Sequence, residues 1–170
     1  ENYPHPQMPK GAEEGIIKGM YLLRRCDVNA TKRVQLMGSG TILREAEAAA
    51  DILRDDYQVM AEVWSVTSAS ELAREGRRVQ RWNLLHPDQK PKQSYLEQQL
   101  AKHPGPVIAA SDYIKAYYEQ LRAFIPRSYT VLGTDGFGRS DTRATLRSFF
   151  EVDRYFIVVA ALKALADEGK

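Results

Sequence analysis

The residues of this 170-residue chain whose types and spacing best suit chemistry are Asp135, Arg139, Asp141 and Arg143, set among Gly133, Gly136 and Gly138. They follow the apolar pair Val131-Leu132, so they occupy a loop. Two carboxylates interleaved with two guanidiniums are consistent with an acid–base constellation, or with pairing to one another and to a neighbouring surface. Pairing is favoured, because each arginine would hold an adjacent carboxylate ionised and spoil it as a proton donor near neutral pH. Loop ordering or an interface is therefore the expected use. A second candidate is Gly38-Ser39-Gly40, a turn ahead of a helical pattern, where backbone N–H groups can hold a phosphate. Leu43 stands where the third glycine of Gly-x-Gly-x-x-Gly would fall, and no Gly-Lys-Ser/Thr occurs, so a tight strand-to-helix turn is the plainer reading.

Other chemistry is poorly supplied. His5, His86 and His103 lie far apart in sequence, each next to a proline, and none has a helical i, i+4 histidine partner for a metal site. Loop-packing histidines are the expectation. Cys26 is the only cysteine, which leaves no disulfide within the chain and no Cys-based zinc site, and suits a reducing cytoplasm. No serine sits in a Gly-x-Ser-x-Gly elbow, so covalent catalysis has no visible nucleophile. A net charge of +2, from 24 basic and 22 acidic residues, is far from the basic excess of a nucleic-acid binder. The Arg24-Arg25 and Arg74 to Arg81 clusters read as solvated faces, the second diluted by Glu71 and Glu75. No apolar run approaches the roughly 20 residues needed to span a bilayer. Residues 1–10 lack the pattern of a secretory signal.

These side chains need elements to position them. Pro4, Pro6 and Pro9 make residues 1 to about 12 an extended arm, and residues 1–15 are assigned to a linker from a preceding domain. Residues 16–170 form one domain, the size that buries a single core. Gly19 to Leu23, Val34 to Met37, Val59 to Val66, Pro106 to Ala110 and Tyr129 to Leu132 read as five strands. Between them Ile42, Leu43, Ala46, Ala49, Ala50 and Leu53 recur at helical spacing. Ser68 or Ser70 caps a further helix with Leu72 and Ala73 inward, and a short helix is expected near Ser94 to Lys102. Ser111-Asp112 is expected to start a helix with Ile114, Tyr117, Tyr118, Leu121 and Ile125 on one face, stopped by Pro126. The last helix, Asp153 to Glu168, is apolar far enough around to pack against more than one neighbour.

Strands alternating with helices predict an α/β fold: three layers, with a mostly parallel five-stranded sheet and helices on both faces. With four strands parallel through right-handed crossovers, their C-terminal ends share one edge. The loops at Gly38 to Gly40, Thr67 to Ser70, Ser111-Asp112 and Asp135 to Asp141 then converge there, where open α/β sheets bind ligands.

The run Leu132 to Arg143, continuing to Phe149-Phe150-Glu151-Val152-Asp153, resembles the C-terminal domain of the homodimeric thiamine-dependent decarboxylases of bacterial pyruvate dehydrogenase complexes. Glu1-Asn2-Tyr3, Met8-Pro9, Gly11 to Ile16, Gly38-Ser39-Gly40, Ser65 to Ser68 and Arg81 to Pro87 are similar to that family too, in the same order. The resemblance implies the transketolase C-terminal fold. It also implies a parent enzyme that decarboxylates pyruvate on thiamine diphosphate with magnesium and passes the two-carbon unit to the lipoyl group of a dihydrolipoyl acetyltransferase. Family enzymes hold the cofactor with Gly-Asp-Gly and, about thirty residues on, paired asparagines. Gly133-Thr134-Asp135-Gly136 is a near miss, and Asn2, Asn29 and Asn83 are never adjacent and all precede it.

No catalytic, cofactor-binding or metal-binding residue is therefore assigned to this chain, and the cofactor is expected in earlier domains. The expected partners are those domains, a homodimer mate and the acetyltransferase, in the bacterial cytoplasm, with no nucleic acid or membrane. Against the family pattern the chain is expected to stop short of a final helix, which would expose an apolar patch and promote self-association. The competing reading is an autonomous regulatory or assembly module that binds a small anion or a partner protein at the Gly38 and Asp135 edge.

Overall fold

The computed structural model describes residues 7–27 and 29–170. His5, Pro4, Pro6 and the Glu1-Asn2-Tyr3 segment lie outside the described residues. In chain order the elements are α1 (Glu13–Lys18), β1 (Met20–Arg24), β2 (Arg33–Gly38), α2 (Ile42–Tyr57), β3 (Met60–Val66), α3 (Ala69–Leu85), α4 (Tyr95–Leu100), β4 (Val107–Ala110), α5 (Ala116–Glu119), β5 (Tyr129–Leu132), α6 (Arg143–Phe149) and α7 (Arg154–Asp167). The five strands form one sheet in the order β1-β3-β2-β4-β5. β1 runs antiparallel to β3, and the other neighbours pair in parallel. The expected three-layer architecture is the one observed.

The two-residue strand period sorts the core onto the two faces. Val34 and Leu36 of β2, Ala61 and Val63 of β3, and Ile108 and Ala110 of β4 join Ile42, Ala46, Ala49 and Leu53 of α2 and Ile157, Ala161 and Leu165 of α7. The intervening Met37, Trp64, Val66, Val107 and Ala109 meet Leu72 and Ala73 of α3, Leu96 and Leu100 of α4, and Tyr118 of α5. Caps match their residue types. The Ser68 hydroxyl accepts from the Glu71 N–H, and Ser94 with Glu97 forms a capping box at α4. Asp153 accepts the Tyr155 and Phe156 N–H groups at the start of α7. α7 packs on α2, β4 and β5, while Tyr155 and Val159 stay exposed on its outer side.

One expected element is corrected. The helix from Ser111 to Ile125 does not form: only Ala116–Glu119 is α-helical, followed by a 3₁₀ turn at Arg122–Phe124. A side chain occupies the Tyr117 carbonyl that a longer helix would use, and another shares the Tyr118 carbonyl with the backbone. Gln120 Nε2 donates to the Tyr117 carbonyl (2.8 Å), and the Tyr129 hydroxyl donates to the Tyr118 carbonyl (2.9 Å). Leu121 therefore closes onto Tyr118 by an i to i−3 bond, and Ile114 is left exposed. The short helices α1 and α6 are additions to the elements expected from the sequence.

Candidate functional site

The strand order reverses between β2 and β4: the chain passes from β2 to β3 on one side, then crosses to β4 on the other. The loops leaving the C-terminal ends of β2, β4 and β5 meet at this switch point. A cleft of about 330 Å³ opens there, with Ile42, Leu146, Phe150 and Val152 as its apolar lining and Thr41, Asp112, Thr134, Arg143 and Arg147 as its polar one. Thr41 Oγ1 lies 3.5 Å from Asp112 Oδ2 across the junction.

Glu45, buried in the first turn of α2, ties down the start of α7 and, through Arg147, α6. Arg154 grips it with Nε on Oε2 (2.8 Å) and Nη2 on Oε1 (3.0 Å), and the Arg154 backbone N–H donates to Oε2 (3.0 Å). Arg147 Nη1 reaches Oε1 at 3.4 Å. Burial by itself would raise the Glu45 carboxyl, but the Arg154 hydrogen bonds and the two positive charges outweigh it and hold the group below the usual carboxylate range. Glu45 is thus an ionised anchor, unsuited to donating a proton near neutral pH.

The residues singled out from the sequence fall into two groups. Gly38 is glycine because a Cβ there would sit 2.9 Å from the Leu43 Cα, so α2 could not close onto β2. Ser39 is buried beside the Tyr118 phenol, which burial pushes up and keeps protonated. Gly40 turns the chain at φ +53°. In the long loop the Asp135 carboxylate accepts from the Lys115 backbone N–H (3.0 Å), with the Lys115 ammonium 3.9 Å away. Asp141 accepts from the Thr142 N–H (2.6 Å) ahead of α6, and Arg139 lies 4.1 Å over the Phe149 ring. Arg143 opens α6 and lines the cleft. The structure thus joins Asp135 to the β4–α5 loop and Arg143 to the cleft, rather than gathering the four charges around one point.

A second polar cluster, not anticipated from the sequence, sits at the opposite, N-terminal edge of the parallel strands. Glu62 is 1% exposed, and its Oε2 accepts from Arg33 Nη2 (2.8 Å) and Gln35 Nε2 (2.9 Å), with His103 Nδ1 at 2.9 Å. An ionised carboxylate only accepts, so Nδ1 carries the proton that faces it. Gln35 Nε2 also donates to the Pro104 carbonyl, and Gln35 Oε1 accepts from the Trp64 indole (2.8 Å). The His103 ring meets Trp64 edge-on at 4.9 Å. Burial would raise Glu62, and the hydrogen bonds from Gln35 and His103 with the positive charge of Arg33 lower it on balance. His86, by contrast, stacks on Trp82 at 4.4 Å. The signal available in the sequence was the polar Gln35 and Glu62 inside otherwise apolar strands.

Among the described residues no group of three or more His, Cys, Asp or Glu side chains could hold a metal ion. No helix among them is long and apolar enough to cross a membrane.

The model of the transketolase-like C-terminal domain matches residues 19–153. The chain is similar to the pyruvate dehydrogenase E1 component of Pseudomonas aeruginosa, 63% identical over 170 residues, covering 99% of this chain and 19% of that protein. It is 52% identical to the component of the same name from Escherichia coli K12, over 100% of this chain and 19% of the relative. This chain therefore spans about a fifth of the length of these curated relatives. In fold it is similar to a transketolase structure from Pichia stipitis, with a TM-score of 0.62 at 20% identity over 97% of this chain and 21% of that one. A split-gene transketolase aligns with a TM-score of 0.59 at 20% identity, over 86% of this chain and 42% of that one. These similarities favour a part of a larger enzyme over an autonomous binding module.

Proposed function

This chain belongs to the transketolase-like C-terminal domain family, and from that premise we propose that it is the non-catalytic C-terminal domain of a bacterial pyruvate dehydrogenase. The parent enzyme decarboxylates pyruvate on thiamine diphosphate and reductively acetylates the lipoyl group of a dihydrolipoyl acetyltransferase. The observation that carries this reading is the 63% identity to a pyruvate dehydrogenase E1 component across 99% of the chain, loops included.

In this reading residues 1–15 are the arm from the preceding domain, and the enzyme is a cytoplasmic homodimer within the multienzyme complex. Thiamine diphosphate supplies the electron sink for decarboxylation, and magnesium anchors its diphosphate; both belong to the preceding domains. The residues of this domain do not fit that anchor. Asp135, the one carboxylate in the Gly-Asp-Gly near miss, is committed to Lys115. No step of the decarboxylation is assigned to this chain. Its task is to brace the dimer and the loops along the active-site approach, through an α/β body whose C-terminal sheet edge is tied together by Glu45 and Asp135.

Calorimetric titration tests the reading. The polypeptide that contains this segment together with its preceding domains is expected to bind thiamine diphosphate with magnesium and to release carbon dioxide from pyruvate. This chain alone is expected to show no binding heat. Micromolar binding by the chain alone, or no turnover of pyruvate by the full polypeptide, would overturn it.

A further inference from the structure

We propose that the outer face of α3 is a docking surface for a separate protein, one that presents a carboxylate-rich amphipathic segment. The inference goes beyond the bracing role assigned above, which concerns the C-terminal sheet edge. At 3.6 residues per turn Arg74, Arg77, Arg78, Arg81, Leu84 and Leu85 fall within a sector of about 120° on this 17-residue helix. Leu72, Ala73 and Gly76 are buried on its inner side. The four arginines are exposed, and Leu84 and Leu85 are 78% and 59% exposed.

The acids that dilute this cluster in the sequence do not neutralise it in space. Glu71 pairs with Arg74 (2.5 Å), while Glu75 turns to α4, where its Oε2 accepts from the Tyr95 N–H (3.0 Å). Arg77, Arg78 and Arg81 make no ion pair among the described residues. Like charges one turn apart destabilise a helix, so the row costs the domain stability that its own contacts do not restore. The leucines add a second departure. The chain that leaves α3 folds back on the Trp82 and Asn83 side: the Lys92 N–H donates to Asn83 Oδ1 (2.8 Å), and Asn83 Nδ2 donates to the Lys92 carbonyl (2.9 Å). Lys92 Nζ lies 3.6 Å from the centre of the Trp82 ring, on which His86 also stacks. The end of α3 is thus held in place with both leucines uncovered.

The charge of the row and the leucines at its end identify the occupant. A two-fold contact with the same face of a second copy would bring like-charged rows together. A nucleic acid would use the arginines but leave the leucines bare, and a net charge of +2 supplies no wider basic surface for its phosphates. An acidic amphipathic segment matches both parts. Its carboxylates take bidentate pairs from the guanidiniums, and apolar side chains at one end cover Leu84 and Leu85.

The test is fluorescence anisotropy with the full polypeptide and a dye-labelled synthetic helix of about twenty residues, carrying Glu at i, i+4, i+7 and i+11 and two Leu at one end. Micromolar binding is expected, weakened about tenfold by Arg77→Glu with Arg81→Glu and about tenfold by Leu84→Ser with Leu85→Ser. Both variants are expected to keep the wild-type unfolding midpoint and pyruvate turnover, and turnover reads the functional assignment separately. No binding, as when the parent's own domains cover the face, would overturn the inference. Binding that either variant leaves unchanged would do the same. Polyuridine RNA bound as tightly and insensitive to the leucine variant would make the face a phosphate track instead. A fall in the sedimentation coefficient of the arginine variant would seat a second copy there, and that too would sink the proposal.

Discussion

At the N-terminal edge of the parallel sheet a buried carboxylate is surrounded by donors from its own chain; at the C-terminal edge loops are pinned to one another and hold apolar side chains outward. Glu62 at the first edge is satisfied by Arg33, Gln35 and His103, which come from β2 and from the segment before β4. Phe137 at the second has open space around it, although the loop that carries it is anchored through Thr134 and Asp135. The first edge completes the domain. The second leaves Phe137, Tyr113 and Ile114 exposed. Substitutions at the two edges should therefore be read out by different experiments.

The largest effect is expected from Glu62→Leu, which removes the buried carboxylate that Arg33, Gln35 and His103 share. Removing one member of a buried ion pair costs about 3–5 kcal/mol, so urea unfolding of this chain should shift to much lower denaturant. Gly105→Ala strikes the same edge through the backbone. At φ +103° its Cβ would fall 2.0 Å from the Arg33 carbonyl oxygen, a strain on the order of 3 kcal/mol that should appear in the same assay.

Glu45→Gln, at the other edge, loses the charge and leaves one oxygen to accept from Arg154 while an NH2 group faces its remaining donors, for about 2 kcal/mol near neutral pH. Its signature is in acid. The Glu45 carboxyl is held below its ordinary value in the folded chain, so its contribution is complete above about pH 4.5 and is lost as pH falls through the depressed value. The glutamine variant should show a flatter decline of stability over that window. Phe137→Ser should change the unfolding of this chain by less than about 0.5 kcal/mol, since the ring has no contact to lose. A large loss of stability there would break the contrast between the edges.

Much of the architecture was legible because strands and long helices carry periodic signals. The apolar stripe of α2, the continuous run of β4 and the caps at Ser68 and Asp153 each tie a local pattern to one structure. Legibility failed where tertiary partners overrode local pattern. Ile114, Tyr117, Tyr118 and Leu121 have helical spacing, but Gln120 occupies and Tyr129 shares carbonyls that a longer helix needs. α6 was hidden for the opposite reason: none of its residues is fully buried, so it has no apolar stripe to read. The Glu62 cluster joins residues separated from it by 27 to 41 positions, and nothing local to His103 announces it. At the C-terminal edge the convergence of the loops followed from the strands being parallel. The commitment of Asp135 to Lys115 did not, because it depends on how closely Gly133 lets two backbones approach.

The most direct test of the account is hydrogen exchange on the full polypeptide, comparing amides of residues 133–142 with those of the turn at 86–90. The proposed bracing of the active-site approach by this edge predicts slow exchange across 136–140 and fast exchange at 86–90. Equally fast exchange in both segments would contradict it.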